Sequence, residues 1–137
     1  MYSVTKIISF CYGHRLLNYD GKCKYLHGHN GRAEITLQSD RLDERGMVVD
    51  FGDVKDLVGS FINERLDHKM LLCKKDALIA VLKKLEEPYF VMEENPTAEN
   101  IAKVIFDFAR EKKLSVSRVK LWETDTSFAV YGLENLK

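Results

Sequence analysis

Residues 32–39, RAEITLQS, alternate without a break, with Ala33, Ile35 and Leu37 on one face of an extended chain and Glu34, Thr36 and Gln38 on the other. A period of two marks a strand with one buried face. Upstream, VTKIISF at 4–10 is equally β-rich, so the two runs are expected to face a shared core across a loop from about Cys11 to Asn30. Downstream, SDRLDERG is a polar turn or bulge, and MVVDF at 47–51 resumes an extended apolar pattern. Near the C-terminus, VSRVKLWET and SFAVYGL alternate on either side of Thr124, Asp125 and Thr126, which predicts a β-hairpin.

Between these strands the spacing turns helical. Val54, Leu57, Val58, Phe61 and Ile62 recur at the interval of an amphipathic helix, with Asp53 placed to cap it and an end near Leu66. A short helix over DALIAVLKKLEE stops before Pro88, and YFVM follows as a brief strand. Asn95, Pro96 and Thr97 open another helix: Thr97 can cap it, Glu99 suits its positive end, and Ile101, Val104, Ile105 and Phe108 form its buried stripe to about Lys113. The expected class is α+β, an antiparallel sheet backed by two main helices.

A chain of 137 residues with 45% hydrophobic content suits one domain over 1–137. Equal numbers of basic and acidic residues, 21 each, leave no global field for nucleic acid or an acidic membrane surface. Three cysteines form no even disulfide framework and the first residues lack a signal-peptide core, which points to the cytoplasm. The longest apolar run, Ala77 to Leu82, falls far short of the roughly 20 residues that span a bilayer.

Histidine is scarce, with four in the chain, yet His14, His27 and His29 cluster near Cys11 and Cys23. In an extended segment His27 and His29 share a face about 6.6 Å apart. With His14 as third ligand they suit a zinc ion that keeps one position open. A closed structural zinc completed by Cys11 or Cys23 is the competing arrangement, and ordinary surface imidazoles the plainest one. Near a metal, Cys23 gains thiolate character and the capacity to take a proton. Asp67 and His68 adjoin and can act together in proton transfer, or simply end a helix. Glu123 shares a strand face with Val119 and Leu121, an inward acid that needs donors unless it already reaches water. Cys73, in MLLC, reads as core.

FCYGHRL, CKYLHGHN, MVVDFGDVK, LDHKML, NPTAENIA and WETDTSFAVY, in this order, resemble the 6-pyruvoyltetrahydropterin and 6-carboxytetrahydropterin synthase family over nearly the whole length. The resemblance implies the tunnelling fold: a four-stranded antiparallel sheet with two main helices on one face, assembled as a hexamer of two trimers with sites between subunits. It implies zinc on His14, His27 and His29, Cys23 as proton acceptor, and Asp67 with His68 as its relay. Glu123 would anchor the pterin, with Thr97 and Glu99 as further contacts. The implied reaction converts 7,8-dihydroneopterin triphosphate to 6-carboxy-5,6,7,8-tetrahydropterin, releasing acetaldehyde and triphosphate, on the route to queuosine. Three residues between Cys23 and His27 resemble the bacterial form. A pyruvoyl-forming synthase and a side-chain-cleaving variant for folate are alternatives, and a zinc-stabilised binding module is the non-enzymatic one. The sequence departs from the family pattern at Cys11, Tyr12 and Gly13, where FSAAH is common, at Gly31, where many members have an aromatic, and at Asp125. Arg15, Lys22 and Lys24 are candidate partners for the triphosphate.

Overall fold

The computed structural model describes residues 1–133; the last four residues of the domain expected over 1–137 lie outside the described residues. The alternation at 32–39 belongs to a longer strand than expected. β2, His27–Ser39, pairs antiparallel with β1, Tyr2–His14, from Tyr2↔Ser39 to His14↔His27. The loop expected from Cys11 to Asn30 therefore shrinks to 15–26. Gly13 and Gly28 face each other in this ladder, and neither favours a strand alone. Cross-strand pairing carries the extended chain through them, out of reach of local alternation. A Cβ on Gly28 would stand 3.1 Å from the Tyr12 carbonyl oxygen, so the close approach needs the bare Cα.

The four-strand expectation is corrected to six, in the order β4-β3-β1-β2-β5-β6. β5 (Val116–Thr124) and β6 (Ser127–Gly132) form the expected hairpin, and β5 lies antiparallel to β2. On the other side β3, Lys69–Cys73, runs parallel to the end of β1, and β4, Tyr89–Met92, runs parallel to β3. The sheet is thus mixed. KMLLC is too short and too uniformly apolar to announce a strand by its period, and its partner lies more than fifty residues away. The crossover from β3 to β4 carries α2, Leu78–Lys84, shorter than the 76–87 expected.

Residues 47–50 form no strand; Val48 and Val49 still pack against the core. The helix after them, α1 over 51–66, begins one turn early because Asp50, not Asp53, accepts the Gly52 N–H at 2.7 Å. Its first turn is α-helical and two π-helical stretches follow, Lys55–Gly59 and Ile62–Leu66. Val54, Val58, Ile62 and Leu66 are buried at intervals of four. Such a stripe drifts around a 3.6-residue helix, and the wider turns bring it back into line with the sheet.

α3, Ala98–Glu111, starts as expected, with the Thr97 hydroxyl accepting the Asn100 N–H at 3.2 Å. Its face of Ile101, Ala102, Ile105 and Ala109 packs beside α1, and Phe61 stacks on Phe108 at 4.1 Å between ring centroids. Both helices cover the sheet face made by Phe10, Ala33, Ile35, Leu37, Val119 and Leu121. Each Ile or Leu enclosed there contributes about 1.5–3 kcal/mol of transfer free energy. No helix among the described residues is long and apolar enough to cross a membrane.

Candidate metal centre

The β1–β2 register places the histidines. His14 and His27 are direct cross-strand partners, and His29 stands two residues further along the same face of β2, opposite Tyr12. One ring nitrogen from each of the three lies within 4.8 Å of the others. Two of the ring orientations are set from behind. His14 Nδ1 meets the Pro96 carbonyl at 2.6 Å and His27 Nδ1 meets the Tyr25 carbonyl at 2.7 Å. A carbonyl only accepts, so each Nδ1 carries the hydrogen and each Nε2 presents a lone pair.

The Nε2 atoms of His14 and His29 are buried and have no hydrogen-bond partner among the described residues. Both stand 3.4 Å from Glu123 Oε1, without hydrogen-bond alignment. Burial pulls both imidazoles below their ordinary range, against the opposing charge of Glu123, so they stay neutral. Unpartnered Nε2 atoms, on His14 and His29, and rings held from behind by carbonyls, on His14 and His27, are what a divalent ion such as zinc requires of its ligands. The donor set therefore fits a metal.

Glu123 reaches this cluster from β5 at a register shift between Trp122 and Thr124. Such irregularities re-aim a side chain, and here one turns a strand-end acid toward two imidazoles. Tyr12 lies in edge contact with His14 and tilted against His29, at 5.2 and 5.7 Å between centroids. Burial, with the charge of Glu123, drives its ionisation well above the ordinary phenol range.

The other candidates are arranged differently. Asp67 accepts the Cys11 backbone N–H at 2.9 Å through Oδ1 and contacts His68 Nδ1 at 2.7 Å through Oδ2. Partial burial pulls the Asp67 carboxyl up, but these hydrogen bonds and the His68 charge bring it below the usual range. His68 has a left-handed backbone, φ 60°, and its N–H donates to the Cys11 carbonyl at 2.8 Å. The thiol grouped with Asp67 and His68 within this chain is that of Cys11. Cys23 lies on the single 3₁₀ turn Lys22–Lys24, partly exposed. A cleft of about 700 Å³ brings His68 and Cys11 to the same wall as His27 and His29.

Thr97 is committed to capping α3, and Glu99 is exposed in its first turn. Arg15, a candidate for the triphosphate, is engaged instead: its guanidinium forms a two-pronged pair with the buried Asp76, at 2.8 and 2.5 Å. Asp76 in turn accepts the Leu78 N–H at the start of α2. Asn95 also escaped notice in the sequence except as a helix opener. Its amide clamps the backbone of Leu17 in both directions, at 2.9 and 2.8 Å, fixing the chain just past His14. No periodicity announces such a clamp.

These features place the chain among enzyme-like α+β proteins built around a three-histidine centre. It belongs to the family described as 6-pyruvoyl tetrahydropterin synthase, whose model matches residues 3–134. A 6-carboxy-5,6,7,8-tetrahydropterin synthase of Rickettsia bellii is 38% identical over 137 residues, covering 93% of this chain and 98% of its own. One from Haemophilus influenzae is 34% identical over 139 residues, covering 96% and 99%. Among solved structures, the uncharacterized protein WS1659 from Wolinella succinogenes superposes with a TM-score of 0.82 at 27% identity, over 97% of this chain and 98% of that one.

Proposed function

We propose that this chain is a zinc-dependent lyase that converts 7,8-dihydroneopterin triphosphate to 6-carboxy-5,6,7,8-tetrahydropterin, releasing acetaldehyde and triphosphate, in queuosine biosynthesis. The observation that carries the reading is the pair of buried, unpartnered Nε2 atoms on His14 and His29 beside His27. The names of the Rickettsia and Haemophilus relatives support the product.

His14, His27 and His29 would hold the ion. Zinc there supplies Lewis acidity, which makes protons on substrate oxygens easier to remove. Glu123 offers two oxygens to the paired N–H groups on the pterin's guanidine-like edge, a planar match. Cys23 takes the proton from the side chain. Asp67 holds His68 Nδ1, leaving the exposed Nε2 to exchange protons. Thr97, through the cap it makes, and Glu99 at the mouth of α3 shape the pterin end of the site.

Cys23 and the Asp67–His68 pair are not grouped within one chain, which supports sites completed by a second copy. The sheet ends at β4 and β6, whose open edges suit edge-to-edge assembly into a hexamer of two trimers. The working unit is a homo-oligomer of single-domain chains, spanning 1–137, in the cytoplasm.

The test is to incubate zinc-loaded protein and a Cys23→Ala variant with the triphosphate substrate and identify the pterin by mass spectrometry. The expected result is 6-carboxytetrahydropterin with acetaldehyde from the wild type and a loss of at least about a hundredfold in the variant. A pyruvoyl or hydroxymethyl pterin would retain the metal centre and reject the product assignment. No turnover would favour the zinc-stabilised binding module.

A further inference from the structure

Tyr12 is a polar side chain whose oxygen the fold leaves without a purpose. The residue is 3% exposed, and its hydroxyl is buried with no hydrogen-bond partner among the described residues. Leaving a buried hydroxyl unpaired is costly, and phenylalanine would keep every ring contact at no such cost. Packing explains the ring and leaves the oxygen unexplained.

The ring itself is held on several sides. It stacks on Phe10 at 5.4 Å between centroids and 29° between planes, and meets His14 edge-on at 5.2 Å. His29 closes a third side at 5.7 Å. Gly31 supplies the remaining room. A Cβ there would lie 3.0 Å from Tyr12 Cε1 and 3.4 Å from two ring carbons of Phe10. The bare Cα on β2 thus accommodates a large ring delivered from β1. The result is a ring fixed against two of the three histidines, on the sheet face that also carries Glu123, with a hydroxyl that has no partner among the described residues.

We propose that Tyr12 is a positioning residue whose hydroxyl hydrogen-bonds an oxygen on the side chain of the bound pterin, selecting ligands with a hydroxylated side chain over the bare ring. This rests on the pterin reading above. The side chain is the relevant portion because the Tyr12 ring contacts His14 and His29, the imidazoles where that reading places the side-chain hydroxyls. A phenol both donates and accepts, so it can pair with a hydroxyl without a change of charge.

The experiment uses zinc-loaded wild type and Tyr12→Phe with two ligands, 7,8-dihydroneopterin, which carries the hydroxylated side chain, and 7,8-dihydropterin, which lacks it. Dissociation constants are read by titration calorimetry, alongside zinc content and thermal midpoint. Tyr12→Phe should bind dihydroneopterin about 5- to 20-fold more weakly and dihydropterin within about twofold of wild type, with zinc content unchanged. Unchanged affinity for dihydroneopterin, or an equal loss for both ligands, overturns the assignment of Tyr12 and leaves the pterin reading standing. Wild type that binds neither ligand overturns the pterin reading, and this assignment with it.

Discussion

Arg15 shows how one contact redirects a residue's role. Its charge, one position after a metal-ligand candidate, invites assignment to the substrate's phosphates, yet Asp76 already takes both prongs of the guanidinium. The Arg15 hydrogen bonds hold the Asp76 carboxyl below the ordinary value of 3.8. The folded state therefore binds this proton less readily than the unfolded chain. The pair's contribution is complete above the unfolded value and fades as pH falls through it toward the lower folded one. Asp76→Asn should cost about 1–3 kcal/mol near neutral pH, discounted because Arg15 is partly exposed. The gap between wild-type and variant urea midpoints should narrow between pH 5 and pH 2; a gap independent of pH would reject the ionic account. At this scale the histidines were legible in the sequence because they are few and clustered. Glu123 was conspicuous as an inward acid, but its turn toward His14 and His29 depends on a strand irregularity with no local signature. Asp76 and Asn95 were illegible for a simpler reason: their partners lie about sixty and eighty residues away.

Thr97 joins an element to the site. Its hydroxyl caps α3, while the carbonyl of the residue before it, Pro96, orients His14. Fraying the first turn of α3 would loosen the support behind a candidate ligand. Thr97→Ala should cost about 1 kcal/mol, a fall of about 3–5 °C in thermal midpoint, and should weaken zinc binding in a competition titration with a chromogenic chelator. A lower midpoint with zinc affinity intact would show that cap and ligand are uncoupled. Elements with a strong period were readable: the terminal hairpin and α3 lie where the alternation and the i, i+3, i+4 spacing put them. β4 was readable as YFVM, but β3 was not, since a run of four apolar residues carries no period, and the parallel pairing of either strand leaves no trace nearby. α1 was readable as a helix, but its π turns were not, although burial at 54, 58, 62 and 66 is the pattern that asks for them.

Across the whole molecule, the histidine centre and the apolar core occupy different parts of one sheet face. The core, from Ile35 and Leu37 through Ile62 and Leu66 to Ile101 and Ile105, is built of apolar side chains, and the buried His14 meets it at its margin, against Tyr12. Removing zinc with a chelator should therefore leave the far-ultraviolet circular dichroism unchanged and lower the thermal midpoint only by the binding free energy lost. Collapse of the spectrum on chelation would instead support a structural zinc. The β1–β2 ladder bears on how the molecule comes to exist at all. His14 and His27 are thirteen residues apart in sequence, and all three ligand candidates sit on these two neighbouring strands. β3 must find β1 over more than fifty residues, and β5 must find β2 over more than seventy-five. Closing short loops before long ones puts the imidazoles together early, with Glu123 and the Pro96 carbonyl arriving later. An isolated two-stranded ribbon is marginal in water, so an ion bound there would act as a clasp on a nucleus and take part in the order of folding.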